Sequence, residues 1–253
     1  MTPLDESKTI YKLGNVAFTL RNCDPAFETV VAHLIPTCPQ WQTAPNEIRE
    51  IEMSGVQDLR KLINTVLRLH DGCNWIDAAC LRAANGKIVL ISGQSGAGKS
   101  TTTMALALNH GWKVLAEDLT LIDPATSEII AFGSPFSLKK GTSELLEQLT
   151  GNAPKPILLG EWLDSKHVAS TTNVKANLDF ALHFCGVTDE VLNCKPISAN
   201  EYTRAILPYS NISRDKEAPA RFSHYLANAR CFKLSGGSLQ ERVQKLLEFC
   251  SIE

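Results

Sequence analysis

The chain has 253 residues, 44% of them apolar and 21% charged, with 15 glycines and 12 prolines. This composition fits one large globular domain or two modest ones and excludes disordered, collagen-like and fibrous readings. Lysine and arginine number 25 against 27 acidic residues, a net charge of −2, so no basic excess draws the chain to nucleic acid or to an anionic membrane surface. No apolar run approaches the roughly 20 residues that span a bilayer. The opening MTPLDESKTIYKLGNV does not read as a secretory signal. Eight scattered cysteines, with no CxxC or CxxH, argue against a zinc site and fit reduced thiols in a cytoplasmic protein.

Residues 8–13 and 15–20 carry β-branched and aromatic residues on either side of Gly14–Asn15, which predicts a hairpin. Asp24–Pro25 opens FETVVAHLI, a predicted helix ending at Pro36. Residues 37–47, interrupted by two prolines, predict a loop, and IREIEMS from Ile48 alternates as a half-exposed strand does. Val56, Leu59, Leu62, Ile63, Val66, Leu67 and Leu69 recur at helical spacing, which predicts an amphipathic helix over 56–70. Residues 1–74 therefore read as a small N-terminal α/β region. Acceptor recognition, assembly of a homo-oligomer and extension of the core sheet all remain open for it.

Residues 75–253 read as a second unit. IDAACLRA (76–83) and KIVLIS (87–92) are joined by AANG, whose Asn85–Gly86 suits a tight hairpin. A glycine-rich loop follows, then a helix over 99–110, strands at 113–116 and 119–123, a turn at Asp123–Pro124 and a strand at 128–132, a mixed α/β pattern. TSELLEQL (142–149) is a helix candidate, NAPKP (152–156) a loop, and VTDEVLNC (187–194) fits no single class. SLQERVQKLLEFC (238–250) predicts a terminal helix, with Ser238 and Glu241 forming a capping box.

The chemistry lies in the glycine-rich loop. Gly93, Gln94, Ser95, Gly96, Ala97, Gly98, Lys99 and Ser100 fit GxxxxGK[ST], with Thr101 next, between an apolar strand and a helix-forming run. Glycines let such a loop turn its backbone N–H groups inward, and the following helix adds its positive end, so the loop cradles phosphate. Lys99 is placed to reach the β and γ oxygens of ATP, and the Ser100 hydroxyl to bind Mg2+. A second, acidic element is expected at a neighbouring strand end, and Glu117–Asp118, closing VLAED, is the candidate. Leu234–Gly237 resembles the LSGGQ signature of ABC ATPases. No apolar strand ending in Asp–Glu follows it, so it reads as a glycine turn before a capped helix.

The run IDAACLRAANGKIVLISGQSGAGKSTTTMALALNHGWKVLAEDLTLID, then PFSLKKG, resembles the HPr kinase/phosphorylase superfamily, especially its shorter peptide-tailoring relatives. That resemblance implies an α/β P-loop core of the HPr kinase type with a mixed sheet. It also implies γ-phosphoryl transfer from ATP to serine, with Asp118 as base and Glu117 supporting Mg2+. Lys139 and Lys140 fall where the family carries a lysine, and read either as a clamp on the γ-phosphate or an acidic acceptor or as a solvated basic turn. Two residues depart from the family. Asp77 stands where it carries histidine, leaving Asp77 as a Mg2+ or substrate contact or a strand-start residue, and GKST replaces GKSE. Arg204, Arg214, Arg221 and Arg230 are further cations, none singled out, and His183 and His224 have no evident partner.

The expected function is ATP- and Mg2+-dependent phosphorylation of a hydroxyl, foremost serine in a peptide or protein. A small-molecule kinase acting on free serine, a sugar or adenylylsulfate shares the same loop. A catalytically silent ATP-binding regulatory module is the third reading.

Overall fold

Gly14 takes φ +58° and, with Asn15, turns Tyr11–Leu13 (β1) back onto Val16–Arg21 (β2) as an antiparallel pair. A computed structural model describes residues 8–37, 48–53, 58–70, 72–132, 135–138, 141–142, 144–145, 147, 162–163, 168–170, 172–186, 191–212 and 216–251. The Asp24 carboxylate accepts from the N–H groups of Ala26 and Phe27, satisfying two orphan donors and starting Pro25–Leu34 (α1). Ile48–Glu52 (β3) adds to β2 in parallel. Asp58 caps Leu59–Arg68 (α2) in the same way as Asp24. These elements bury Phe18, Val31, Leu34, Leu62 and Val66 in one core that also takes in Leu121, Ile130 and Phe132. The N-terminal region is thus packed onto the rest of the chain through shared apolar contacts.

The predicted run over 76–83 is broken. Asn74–Ile76 (β4) and Ala78–Arg82 (β5) belong to different sheets, because the Asp77 N–H donates to the Tyr209 carbonyl at 2.7 Å instead of to a strand. Ile88–Gly93 (β6) pairs with β5 as the predicted hairpin and is buried along its whole length. Lys99–His110 (α3) and Lys113–Ala116 (β7) follow. Thr120–Asp123 (β8) and Glu128–Ile130 (β9) form the second hairpin. Phe136–Ser137 (β10) pairs with Trp162–Leu163 (β11), and Val174–Lys175 (β12) pairs with β9. Phe180–Phe184 (β13) and Asn193–Ile197 (β14) come next, then helices Ala199–Ile206 (α4) and Ala218–Tyr225 (α5). Arg230–Ser235 (β15) and Leu239–Ser251 (α6) complete the described chain. Of the predicted loop over 37–47 only Thr37, bridged to Tyr11, is described, and the predicted loop over 152–156 lies outside the described residues.

The main sheet runs β14-β15-β13-β6-β5-β7, and a four-stranded sheet runs β12-β9-β8-β4. The fold is α/β with mixed parallel and antiparallel sheets. Along β5 and β6, Ala79, Leu81, Val89 and Ile91 face a core shared with α3 and α6, while Ala78, Cys80, Ile88 and Leu90 face α4, α5 and the smaller sheet. This period-two division fixes the register of both strands.

The topology decides where the chemistry lies. β5 is antiparallel to both β6 and β7, so those two run the same way and end at one edge of the sheet, where β5 begins. β13 and β15 lie parallel to β6 and end at that edge too. One sheet edge therefore collects Asp77, the loop after β6, Glu117–Asp118 after β7, Gly186 beyond β13 and Gly236–Ser238 after β15.

Candidate nucleotide site

β6 delivers the glycine-rich loop. Gly93 has φ +144°, and a Cβ there would overlap the carbonyl oxygen of Phe184 on the neighbouring strand, so only glycine lets the loop leave the sheet at this point. Gly98 is left-handed at φ +89° and forms the N-cap of α3. Gln94, Ser95 and Gly96 are exposed at the rim, Ala97 is buried, and Ser100 and Thr101 are half-buried.

Lys99 is 7% exposed. Its Nζ donates to the Gly93 carbonyl at 2.6 Å and lies 3.0 Å from Asp77 Oδ1. Asp77 is thus a direct ionic partner of the loop lysine. The predicted Glu117 is buried and Asp118 is exposed. Lys139 and Lys140, like Arg214, lie outside the described residues. Arg221 pairs with Glu217, and Arg230 lies over the rings of Phe180 and Phe232. Neither of them, nor Arg204, lines the site. His183 does have a partner: the Ser92 hydroxyl donates to the Leu182 carbonyl, leaving its oxygen to accept from His183 Nδ1 at 3.1 Å.

Two cavities meet on this edge. One, of about 630 Å³, is lined by Gln94–Gly96 and Gly98–Thr102, with Thr142, Leu145, Leu239 and Arg242 closing it. A second, of about 270 Å³, lies between α2 and the acidic pair. Asp77, Ser95, Ser100, Asp118 and Ser137 line both, so Ser100 and Asp118 stand at the junction.

The larger cavity suits a nucleotide on its own features. Its volume is in the range of small-molecule sites, and its loop has a glycine where a side chain would clash. The fully buried Thr102 hydroxyl lines it with no hydrogen-bond partner among the described residues. For Mg2+, no three His, Cys, Asp or Glu side chains converge among the described residues. A magnesium ion held jointly with phosphates needs only one or two carboxylates and a hydroxyl, as Ser100, Asp118 and Glu117 offer.

Arg242 carries no sequence signal that marks it as part of the site. Arg242 is 1% exposed, and its guanidinium donates to the carbonyls of Ala97 (2.7 Å), Gly236 (2.6 and 2.9 Å) and Gly186. It also stacks 5.1 Å from the Phe184 ring centroid. Burial lowers its pKa from the ordinary arginine value, yet the guanidinium stays charged. No carboxylate pairs with it among the described residues, so its positive charge is left to act on the adjoining cavity. The LSGG turn and its capping box, with Ser238 N–H to Glu241 at 2.7 Å, place this arginine.

Residues 62–124, a quarter of the chain, match the Rad17 P-loop domain family. The chain carries a P-loop nucleotide-binding domain. No curated protein matches it. Among solved structures it is similar to the Hpr(Ser) kinase/phosphatase from Coxiella burnetii, at 11% identity and a TM-score of 0.33, over 70% of this chain and 93% of that one. At that score the likeness supports no assignment. The resemblance to the HPr kinase/phosphorylase superfamily is therefore corrected: the family match is to a Rad17-type P-loop domain. The physical reason is that the best-matching run is dominated by a strand, glycine loop and helix. Any chain that cradles phosphate this way needs the same residues, so the run reports the cradle and not the lineage. Among the described residues no helix is long and apolar enough to cross a membrane.

Proposed function

We propose that this protein transfers the γ-phosphoryl group of ATP, with Mg2+, to a hydroxyl, foremost serine of a peptide or protein. The observation that carries this reading is the junction of two cavities at Ser100 and Asp118. The loop with its buried lysine opens on one side, and a separate space large enough for an acceptor group opens on the other. A nucleotide-binding module that performed no transfer would not need the second space beside a carboxylate.

In this reading the loop N–H groups and Lys99 hold the β and γ phosphates, with Arg242 adding positive potential from beneath the loop. Mg2+ neutralises phosphate charge when bound. Ser100 and Glu117 are the residues that would hold it. Exposed Leu145 and half-buried Leu239 offer apolar faces to the base. The acceptor oxygen attacks in line, and a new O–P bond forms as the bond from the γ-phosphorus to the bridging oxygen breaks. ADP leaves with that electron pair, and the hydroxyl proton passes to the Asp118 carboxylate. Residues 75–253 form the P-loop core in this scheme, and 1–74 the N-terminal unit that shapes the acceptor side.

Transfer from γ-labelled ATP, offered serine peptides, free serine and a cell extract, tests the proposal. Label should reach an acceptor with the wild type and not with Lys99→Ala, and Asp118→Asn should slow transfer while still binding ATP. ATP binding without a labelled product from any acceptor would overturn the transfer reading in favour of a regulatory module.

A further inference from the structure

The smaller cavity has a wall that the glycine loop does not require. Arg60, Ile63, Asn64 and Leu67 project from α2 at positions i, i+3, i+4 and i+7, one face of the helix, and line it together with Asp118. The Arg60 Nη2 donates to the Ser137 hydroxyl at 2.8 Å, across 77 residues of sequence. Ser137 is one of the residues common to both cavities.

The chemistry of this wall is selective. Arg60 is the one lysine or arginine lining the smaller cavity among the described residues, its observed side-chain partner is a neutral hydroxyl, and among the described residues no carboxylate forms a salt bridge with it. A guanidinium carries five donors in a planar fork, and one bond to serine leaves most of them available for an oxyanion. Ile63, Leu67 and Phe132 supply an apolar flank beside it.

We infer that Arg60 and its face of α2 form the acceptor subsite, and that the acceptor presents a carboxylate or other oxyanion to Arg60 while its hydroxyl lies at Asp118. This rests on the phosphoryl-transfer reading for the identity of the hydroxyl, and on the cavity alone for the anion. The anion has two sources, a free hydroxy acid or an acidic residue beside serine in a peptide. Either would place one charge on Arg60 and leave the apolar flank to the carbon skeleton. This gives the N-terminal region a function, because α2 lies within residues 1–74.

The test uses the full chain and two matched pairs of acceptors. One pair is N-acetyl-L-serine and its amide. The other is an acetylated tetrapeptide amide with serine followed by glutamate, and the same peptide with glutamine. Transfer from ATP should favour the anionic member of at least one pair by about tenfold or more, the scale of a charge-assisted bidentate contact, and the favoured pair names the source. Arg60→Ala should abolish that preference by raising the acceptor KM with the ATP KM unchanged, and Arg60→Glu should invert it. Equal use of both members, or a preference that survives Arg60→Ala, overturns the inference. Calorimetric binding of the same four probes with Mg2+ and a non-hydrolysable ATP analogue separates the two claims. Arg60-dependent binding of the anionic probes without transfer sustains the subsite and sinks the transfer reading. Absence of charge-dependent binding overturns the subsite itself.

Discussion

Arg242 Nη1 donates to the Ala97 carbonyl at 2.7 Å, tying the last helix to the tip of the phosphate loop 145 residues earlier. The bond links the geometry of the loop to the docking of α6. The same guanidinium also binds the ends of β13 and β15 through Gly186 and Gly236.

Arg242→Met should cost about 3–5 kcal/mol of unfolding free energy, because three backbone carbonyl groups lose their buried donor. It should also weaken ATP binding, because the loop loses its brace and the cavity its buried cation. Denaturant unfolding and nucleotide titration measure the two effects. An unchanged midpoint would show that the carbonyls find other donors.

Lys99 and Asp77 make an ion pair 3.0 Å long beside the loop. A phosphate approaching Lys99 meets a carboxylate already there. Asp77→Asn should therefore bind ATP several-fold more tightly in the absence of Mg2+, where the carboxylate only repels. Lys99→Ala should weaken the same binding by at least about tenfold. Weaker metal-free binding by Asp77→Asn would assign Asp77 a supporting role in place of a competing one.

Gly93→Ala should destabilise the protein by at least about 2 kcal/mol, through a positive φ and an overlap with the Phe184 carbonyl at once. Thermal unfolding reads this directly. Gly96→Ala, where a Cβ meets nothing within 4 Å but φ is +84°, should cost less.

Acid should destabilise the fold through two histidines. Burial lowers the pKa of His183, with Lys233 and Lys99 adding to the effect, and burial also lowers that of His70. His70 Nε2 accepts from the Asn15 N–H and Nδ1 faces the Val66 carbonyl, so protonating Nε2 removes an acceptor. Each histidine binds a proton more readily when unfolded. Stability is thus full above the unfolded value near 6.5 and is lost as pH falls through it toward the folded value. Unfolding free energies at pH 7.5 and 5.5 should differ more in the wild type than in His70→Gln/His183→Asn. Equal differences would show that other groups carry the acid sensitivity.

Part of the fold around the candidate site was legible because its signals are local. The strand, loop and helix from Ile88 to His110, the Asp24 cap, the hairpin at Gly14–Asn15 and the Ser238–Glu241 box each depend on residues a few positions apart. The run that suggested HPr kinase was equally local, and for that reason reported a phosphate cradle shared by unrelated chains. β13 was missed although it sits at the centre of the main sheet. Its short apolar run DFALHF carries no turn signal that separates it from a buried loop, and its pairing with β6 and β15 spans long stretches of chain. Arg242 reads as one more charged residue on an amphipathic helix until folding turns it toward three carbonyls.

By itself the sequence determined that a phosphate-binding loop motif is present, and located the Gly14–Asn15 hairpin and the Asp24 and Ser238 helix starts, since backbone conformation and capping depend on near neighbours. Only the tertiary structure decided that β5 lies between β6 and β7, that Asp77 meets Lys99, and that Arg60 and Arg242 reach the same edge of the sheet. Those contacts join residues 22 to 145 positions apart. They form only when burial of the shared cores brings distant strand ends together.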